Sequence, residues 1–115
     1  MNKTIIAGCR DFNDYSFLCE CIAKSGIEIN TIISGCANGV DKLGEKYAIE
    51  HNIKLEYYPA DWNTHGKAAG PIRNRQMAEN ADALIAIWDG KSRGTKNMID
   101  SAKKQGLVVS IFNIN

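Results

Sequence analysis

Short apolar runs alternate with helix-patterned segments from one end of this chain to the other. The runs are rich in β-branched or aromatic residues and are bounded by Gly, Asn, Asp or Pro, which is typical of strands. They occupy residues 4–8, 31–35, 54–60, 83–89 and 107–112. Three of them are apolar almost throughout, which favours strands that are covered on both faces, as in a parallel sheet.

The segments between these runs carry apolar residues at helical spacing. This spacing predicts helices over residues 14–25, 40–51 and 95–105, and a shorter helix from near Pro71 to about Asn80. Right-handed crossovers between parallel strands place such helices on both faces of the sheet. We therefore predict an α/β fold, a three-layer Rossmann-like sandwich with a mainly parallel five-stranded sheet.

Composition limits the classes of protein to which the chain can belong. Its 115 residues, 44% of them apolar, suit one domain over residues 1–115. The formal net charge of +1 lacks the basic excess of a dedicated DNA-binding module, so nucleic acid is an unlikely partner. The four cysteines and two histidines lack zinc-site spacing, and we predict no metal and no cofactor. Without a signal-peptide core or a membrane-length apolar stretch, the chain is expected to be cytoplasmic, with reduced thiols and no membrane contact.

Glycines and polar residues follow the predicted strands. In open parallel sheets the ligand site lies beyond the carboxyl ends of the strands. Gly35 and Gly39 follow the second strand, where they either form only a tight turn or bring backbone N–H groups close to an anion such as phosphate. Asp41 follows in the first helical turn, where it either complements the helix dipole or accepts hydrogen bonds from a ligand hydroxyl such as that of ribose. The pattern matches neither G-x-G-x-x-G nor a Walker A loop.

Later segments add further candidates. Arg73 and Arg75 open the fourth helix and either form a solvated face or bind phosphate or carboxylate. Thr95 is expected to cap the last helix, and it is also placed to hydrogen-bond an anion. Trp62 lies in the long stretch 61–70, which we expect to be an irregular loop forming part of the binding-site wall, and it either stacks on a base or seals the core edge. His65, in the same stretch, is a weak candidate for acid–base chemistry.

Four motifs together resemble one known family. They are AGCRDF, SGCANGVDKLGEKYA, PADWNTHGKAAGPIRNRQM and WDGKSRGTKNMIDSA, and they cover nearly the whole chain. Their order and spacing resemble the YspA-like, cpYpsA-related branch of the SLOG superfamily, named after the Smf/DprA and LOG proteins. The resemblance implies a Rossmann-like domain that binds a nucleotide or nucleotide-derived ligand, and frequent occurrence in bacteria and phages. The predicted ligand-binding set is Gly8, Cys9, Arg10, Gly35, Ala37, Gly39, Asp41, Trp62, Arg73, Asn74, Arg75, Gly94 and Thr95.

The resemblance leaves three classes of function open. The first is a binding module for an ADP-ribose-type or cyclic nucleotide signal, which in a phage would sequester a host immune signal. The second is a LOG-like nucleoside 5'-monophosphate phosphoribohydrolase, with Arg75 and Asp41 as catalytic candidates. The motif departs from LOG here, because Lys96, Asn97 and Met98 follow the Gly-Thr pair where LOG has a glutamate. The third is single-stranded DNA binding as in the DprA relatives, which suits the near-zero net charge poorly. The resemblance also implies a homo-oligomer.

Overall fold

The computed structural model describes residues 2–114 and contains five strands and five helices. The strands are β1 (Lys3–Gly8), β2 (Thr31–Ser34), β3 (Lys54–Tyr57), β4 (Ala83–Trp88) and β5 (Val108–Asn113). The helices are α1 (Tyr15–Ser25), α2 (Val40–Glu50), α3 (Trp62–His65), α4 (Ala69–Glu79) and α5 (Arg93–Lys104), with a 3₁₀ turn at Gly66–Ala68. Each of these helices is too short or too polar to span a bilayer.

All neighbouring strands of the sheet are parallel. Their order is β3-β2-β1-β4-β5, and the central pair aligns Ile5 with Leu84 and Ala7 with Ala86. The predicted α/β fold with a parallel five-stranded sheet is therefore confirmed.

Side chains that alternate along the central strands build two separate cores. Ile5 and Leu84 point to the face covered by α4 and α5, while Ile6 and Ile85 point to the face covered by α1 and α2. All four are fully buried, as the continuous apolar runs predict. The edge strands are more exposed, since Lys54 and Val108 lie on the surface.

Local signals set several of the helix ends. The Asp14 carboxylate accepts a hydrogen bond from the Phe17 N–H and caps α1, and Gly26 ends that helix with a φ of 69°. Four helices lie close to their predicted positions.

The expectation of an irregular loop over residues 61–70 is wrong. Asp61 caps α3 by accepting from the Thr64 N–H at 3.1 Å, the 3₁₀ turn follows, and α4 begins at Ala69. None of the residues of α3 or the turn is buried, so this stretch has no apolar face from which helix could be predicted.

Candidate functional site

The strand order places a crevice at the carboxyl ends of β1 and β4. From β1 the chain continues to β2 on one side, and β4 lies on the other, so the connections from these two strands leave in opposite directions. Such a switch point is where open parallel sheets bind ligands. The exits from β1, β2 and β4 meet around it.

The exit from β1 is tightly packed. A Cβ on Gly8 would collide with the Ile87 carbonyl and lie 2.7 Å from Val40 Cγ2, so only glycine fits. The buried Cys9 follows; its N–H donates to the Ile87 carbonyl at 3.3 Å, and its own carbonyl accepts from the Val40 N–H at 3.2 Å. The exposed Arg10 then projects at the rim of the crevice.

The turn between β2 and α2 lies directly against this exit. Gly39 has a φ of 77°, and a Cβ there would collide with the backbone of Cys9 and Arg10. Glycine is thus required both for the backbone conformation and for the close approach. Cys36 also adopts a positive φ, of 66°, which the sequence did not indicate.

The side chains of Asp41 and Arg73 both lie against Gly35. A Cβ on Gly35 would come within 2.9 Å of Asp41 Oδ2 and 2.8 Å of Arg73 Nη1. Arg73 Nη1 donates to the Gly35 carbonyl, and Asp41 Oδ2 accepts from the Ala37 N–H at 3.3 Å. Both side chains are buried, and Gly35 leaves the space that they occupy.

Burial shifts the protonation of both groups. It raises the pKa of Asp41 from an ordinary 3.8 to about 6, although the Ala37 N–H and the Arg73 guanidinium oppose the rise. Burial also lowers the pKa of Arg73, opposed by the Asp41 carboxylate. Asp41 therefore titrates near neutrality, whereas an arginine stays protonated at any physiological pH.

The thiols near the crevice are not activated nucleophiles. Burial raises the pKa of Cys9 and also that of Cys36. A raised pKa keeps a thiol protonated at neutral pH, and the thiolate is the reactive form. Thiolate chemistry is therefore not favoured here.

A polar chain links α4 to α5. Asn74 is buried; its Oδ1 accepts from Arg73 Nε at 2.9 Å, and its Nδ2 donates to Asn97 Oδ1 at 2.9 Å and to the Gly94 carbonyl at 3.4 Å. The Asn97 amide therefore helps to orient the Asn74 side chain.

The amino terminus of α5 is capped by Ser92. Its Oγ accepts from the Thr95 N–H at 3.3 Å, and its carbonyl accepts from the Lys96 N–H at 3.1 Å. The expectation that Thr95 caps this helix is therefore wrong, because α5 begins two residues earlier, at Arg93, and Thr95 is buried in the first turn. Asp89 holds the preceding turn by accepting from the N–H groups of Lys91 and Ser92, each at 2.8 Å.

Two hollows open at the crevice. The inner hollow, of about 110 Å³, is lined among others by Gly8, Arg10, Asp41, Asn74, Gly94 and Thr95. The outer hollow, of about 240 Å³, shares Arg10, Asn74 and Gly94 with it and adds Trp62 and Arg93. Because three residues line both, the two hollows form one continuous cleft.

The structure brings most of the predicted site residues to this cleft. Six line the inner hollow and Trp62, which is 51% exposed, lines the outer one. The other members lie around the cleft: Gly35, Ala37 and Arg73 surround Asp41, and Cys9 and Gly39 form the packed β1 exit.

Two predicted residues lie elsewhere. Arg75 is exposed and lines a separate groove between α4 and α5, whereas Arg73, two residues earlier, is buried beside Gly35. His65 lines a depression with Asp61 and Arg73.

Sequence reasoning missed several contributors to the cleft, among them Ser92 and Arg93. Ser92 lines the inner hollow and Arg93 the outer one. A serine three residues before Thr95, just ahead of a helical pattern, is an N-cap signal that could have identified the first of them.

Comparisons with known proteins agree with this architecture. The Gene 61 protein of Mycobacterium phage D29 is 30% identical over 122 residues, which cover 97% of each chain. The structure of DNA processing protein A (DprA) from Streptococcus pneumoniae has a TM-score of 0.77 at 16% identity, which shows a shared fold. That match covers 99% of this chain but 50% of the DprA chain, so this chain spans about half of DprA.

The family resemblance rests on the amino-terminal half of the chain. Residues 2–65 match the sequence profile of the YspA, cpYpsA-related SLOG family, and they include the β1 exit, the glycine turn and Asp41. This match confirms the resemblance seen in the motifs. The chain therefore belongs to the YspA, cpYpsA-related SLOG family.

Proposed function

We propose that this protein binds a nucleotide-derived small molecule, of the ADP-ribose type or a cyclic nucleotide signal, in the continuous cleft at the switch point. Membership of the SLOG superfamily points to a nucleotide-related function. The observation that carries the proposal is the convergence of Arg10, Asp41 and the first turn of α5 on the inner hollow, with Trp62 beside it in the outer one.

The first turn of α5 supplies the contacts for a phosphate. Because Ser92 accepts from the N–H groups of Thr95 and Lys96, the N–H groups at the first two helical positions, Arg93 and Gly94, are left for an anion. Arg10 adds a positive charge that lines both hollows. The inner hollow is small beside the roughly 300–1,000 Å³ of pockets for drug-sized ligands, which suits a phosphate rather than a base.

The other parts of the ligand have partners around the phosphate. Asp41 accepts a hydrogen bond from a ribose hydroxyl, because a carboxylate this close to the phosphate site would repel phosphate itself. Trp62 offers an exposed aromatic face on which a base stacks. The outer hollow, which Trp62 lines, is also the larger of the two.

The relative in Mycobacterium phage D29 supports a role in conflict between phage and host. In that role the protein holds a signalling nucleotide without turnover and lowers its free concentration in the cytoplasm. We further propose that it acts as a homo-oligomer in which a neighbouring copy closes the cleft.

Isothermal titration calorimetry with AMP, ADP-ribose and cyclic ADP-ribose tests the proposal. At least one compound should bind with submillimolar affinity, and Arg10→Ala should weaken that binding about tenfold, the effect of losing one charge-assisted contact. Lys24→Ala is the matched control, since Lys24 lies in the last turn of α1, near the amino ends of the strands and away from the cleft. Failure of every adenine or ADP-ribose compound to bind below millimolar concentration contradicts the proposal.

One observation favours a second candidate, a nucleotide N-glycosidase. Asp41 lines the inner hollow with a pKa of about 6, as a carboxyl that donates or accepts a proton near neutral pH would. The Asn97 amide cannot supply the negative charge that an oxocarbenium-like transition state requires. Chromatography of nucleotides incubated with the protein separates the candidates: release of free base supports hydrolysis, and recovery of intact nucleotide after heating supports binding alone.

A further inference from the structure

A groove runs between α4 and α5, beside the proposed nucleotide site. It has a volume of about 270 Å³ and is lined by Arg75 from α4 and by Lys104 from α5. The rest of its lining is mixed: α5 contributes the polar Asn97, Ser101 and Gln105, and the α4 side contributes the apolar Ala68, Pro71 and Ile72. We refer to it as the α4–α5 groove.

The α4–α5 groove adjoins the outer hollow. Pro71 and Asn97 line both the groove and the outer hollow, and the outer hollow shares Arg10, Asn74 and Gly94 with the inner one. A ligand that fills the outer hollow and extends past Asn97 would therefore reach the groove that Arg75 lines.

The charged side chains along the outer hollow and the groove are all positive. Arg10 and Arg93 line the outer hollow, Arg75 and Lys104 line the groove, and no carboxylate contributes to either. Among residues 2–114, none of the side-chain ion pairs involves any of these four cations. Asp100 of α5 instead pairs with Lys96, at 2.9 Å. An anion in the groove would thus relieve the mutual repulsion of two cations.

We propose that the ligand is a dinucleotide with two separated phosphate groups, one at the first turn of α5 and the other between Arg75 and Lys104. This inference rests on the proposed function and narrows the ligand class. A mononucleotide would fill the cleft and leave the α4–α5 groove empty. The net charge of +1 gives no long-range attraction to a nucleic acid polymer, which favours a ligand of two units over a long strand.

Titration of AMP and of the linear 5'-phosphorylated adenine dinucleotide pApA tests the inference. In the unaltered protein pApA should bind more tightly than AMP. Arg75→Ala and Lys104→Ala should each weaken pApA binding about tenfold, as expected for one lost contact to a phosphate, and leave AMP binding unchanged. Lys103→Ala is the matched control, because Lys103 carries the same charge in the same helical turn and does not line the groove.

The outcomes separate this inference from the proposed function. If AMP binds and pApA binds no more tightly, or if the Arg75→Ala and Lys104→Ala variants retain full pApA affinity, the inference is overturned and the proposed function stands. If neither compound binds the unaltered protein but ADP-ribose or cyclic ADP-ribose does, the inference alone is overturned. If none of these compounds binds, the proposed function fails and the inference fails with it. Both altered side chains are exposed, so the variants should fold, and a thermal melt confirms this.

Discussion

Asp41 is held in a position that is unfavourable for a carboxylate. It is 5% exposed, and its pKa of about 6 means that burial outweighs the help of the Ala37 N–H and the Arg73 guanidinium. Proteins retain such groups at functional sites more often than elsewhere, because binding and catalysis use the charge that folding disfavours.

Asp41→Asn should therefore stabilise the unliganded protein at neutral pH. Between about pH 4 and pH 6 the folded protein holds a proton on Asp41 that the unfolded chain has released, so the free energy of unfolding falls as pH rises through this window. In Asp41→Asn the amide does not ionise, so this fall in the free energy of unfolding should not occur. Urea denaturation should show the variant about 1–3 kcal/mol more stable at pH 7 and nearly equal to the unaltered protein at pH 4.

Asp11→Asn controls for the loss of an exposed carboxylate nearby. Its stability is measured at pH 4 and pH 7 beside that of Asp41→Asn, so that the effect of losing a buried carboxylate is compared with that of losing an exposed one. If the free energy of unfolding changed with pH in the same way for Asp41→Asn and for the unaltered protein, Asp41 would ionise in the folded state as easily as in the unfolded chain, and the prediction would be wrong.

At the scale of elements, glycines serve different purposes in the two turns that frame the cleft. Gly39 precedes α2 with a φ of 77° and lies against the Cys9 and Arg10 backbone. Gly94 lies in the first turn of α5, and a Cβ there would meet no atom within 4 Å. The first glycine is needed for folding, whereas the second keeps space open in the cleft.

Gly39→Ala and Gly94→Ala should consequently change stability in opposite directions. Gly39→Ala places a side chain at positive φ and against backbone atoms, so it should lower the free energy of unfolding by about 1–3 kcal/mol or more. Gly94→Ala should stabilise the protein by about 0.5–1 kcal/mol, because alanine suits a helix better. Thermal and urea denaturation measure both. A stable Gly39→Ala protein would contradict the close approach of the β2–α2 turn to the β1 exit.

The elements with an apolar pattern could be predicted from the sequence, and those without one could not. The fully buried strands and the helices that pack on them repeat apolar residues at the spacing of their structure. α3 buries no residue, so the only indication of this helix in the sequence was Asp61, the residue that caps it. The start of α5 was missed because Thr95 and Ser92 are both acceptable caps, and only the backbone path decides between them.

Which residues gather at the candidate site was predictable for similar reasons, but which side chains point into it was not. Glycines and charges after strands must gather at one edge of a parallel sheet, which brings Gly8, Asp41 and Gly94 together. Arg73 and Arg75, however, lie about 200° apart around a helix. Which of them turns toward Gly35 depends on how α4 packs against the sheet, and that packing is not encoded in the local pattern.

At the scale of the whole molecule, β1 and β4 join two otherwise separate cores. Ile5 and Leu84 belong to the core under α4 and α5, while Ile6 and Ile85 belong to the one under α1 and α2. The cleft lies at the carboxyl ends of these same two strands. Its walls therefore come from both layers of helices and stand on the most buried part of the sheet.

Hydrogen exchange should consequently show a gradient of stability across the sheet. Amides of β1 and β4 lie between paired strands and buried side chains, so they should exchange only on global unfolding. Amides of β3 and β5 lie at the edges, where Lys54 and Val108 are exposed, and should exchange faster through local opening. Exchange measured by mass spectrometry at several denaturant concentrations separates the two routes. Equal protection of β3 and β1 would contradict this gradient.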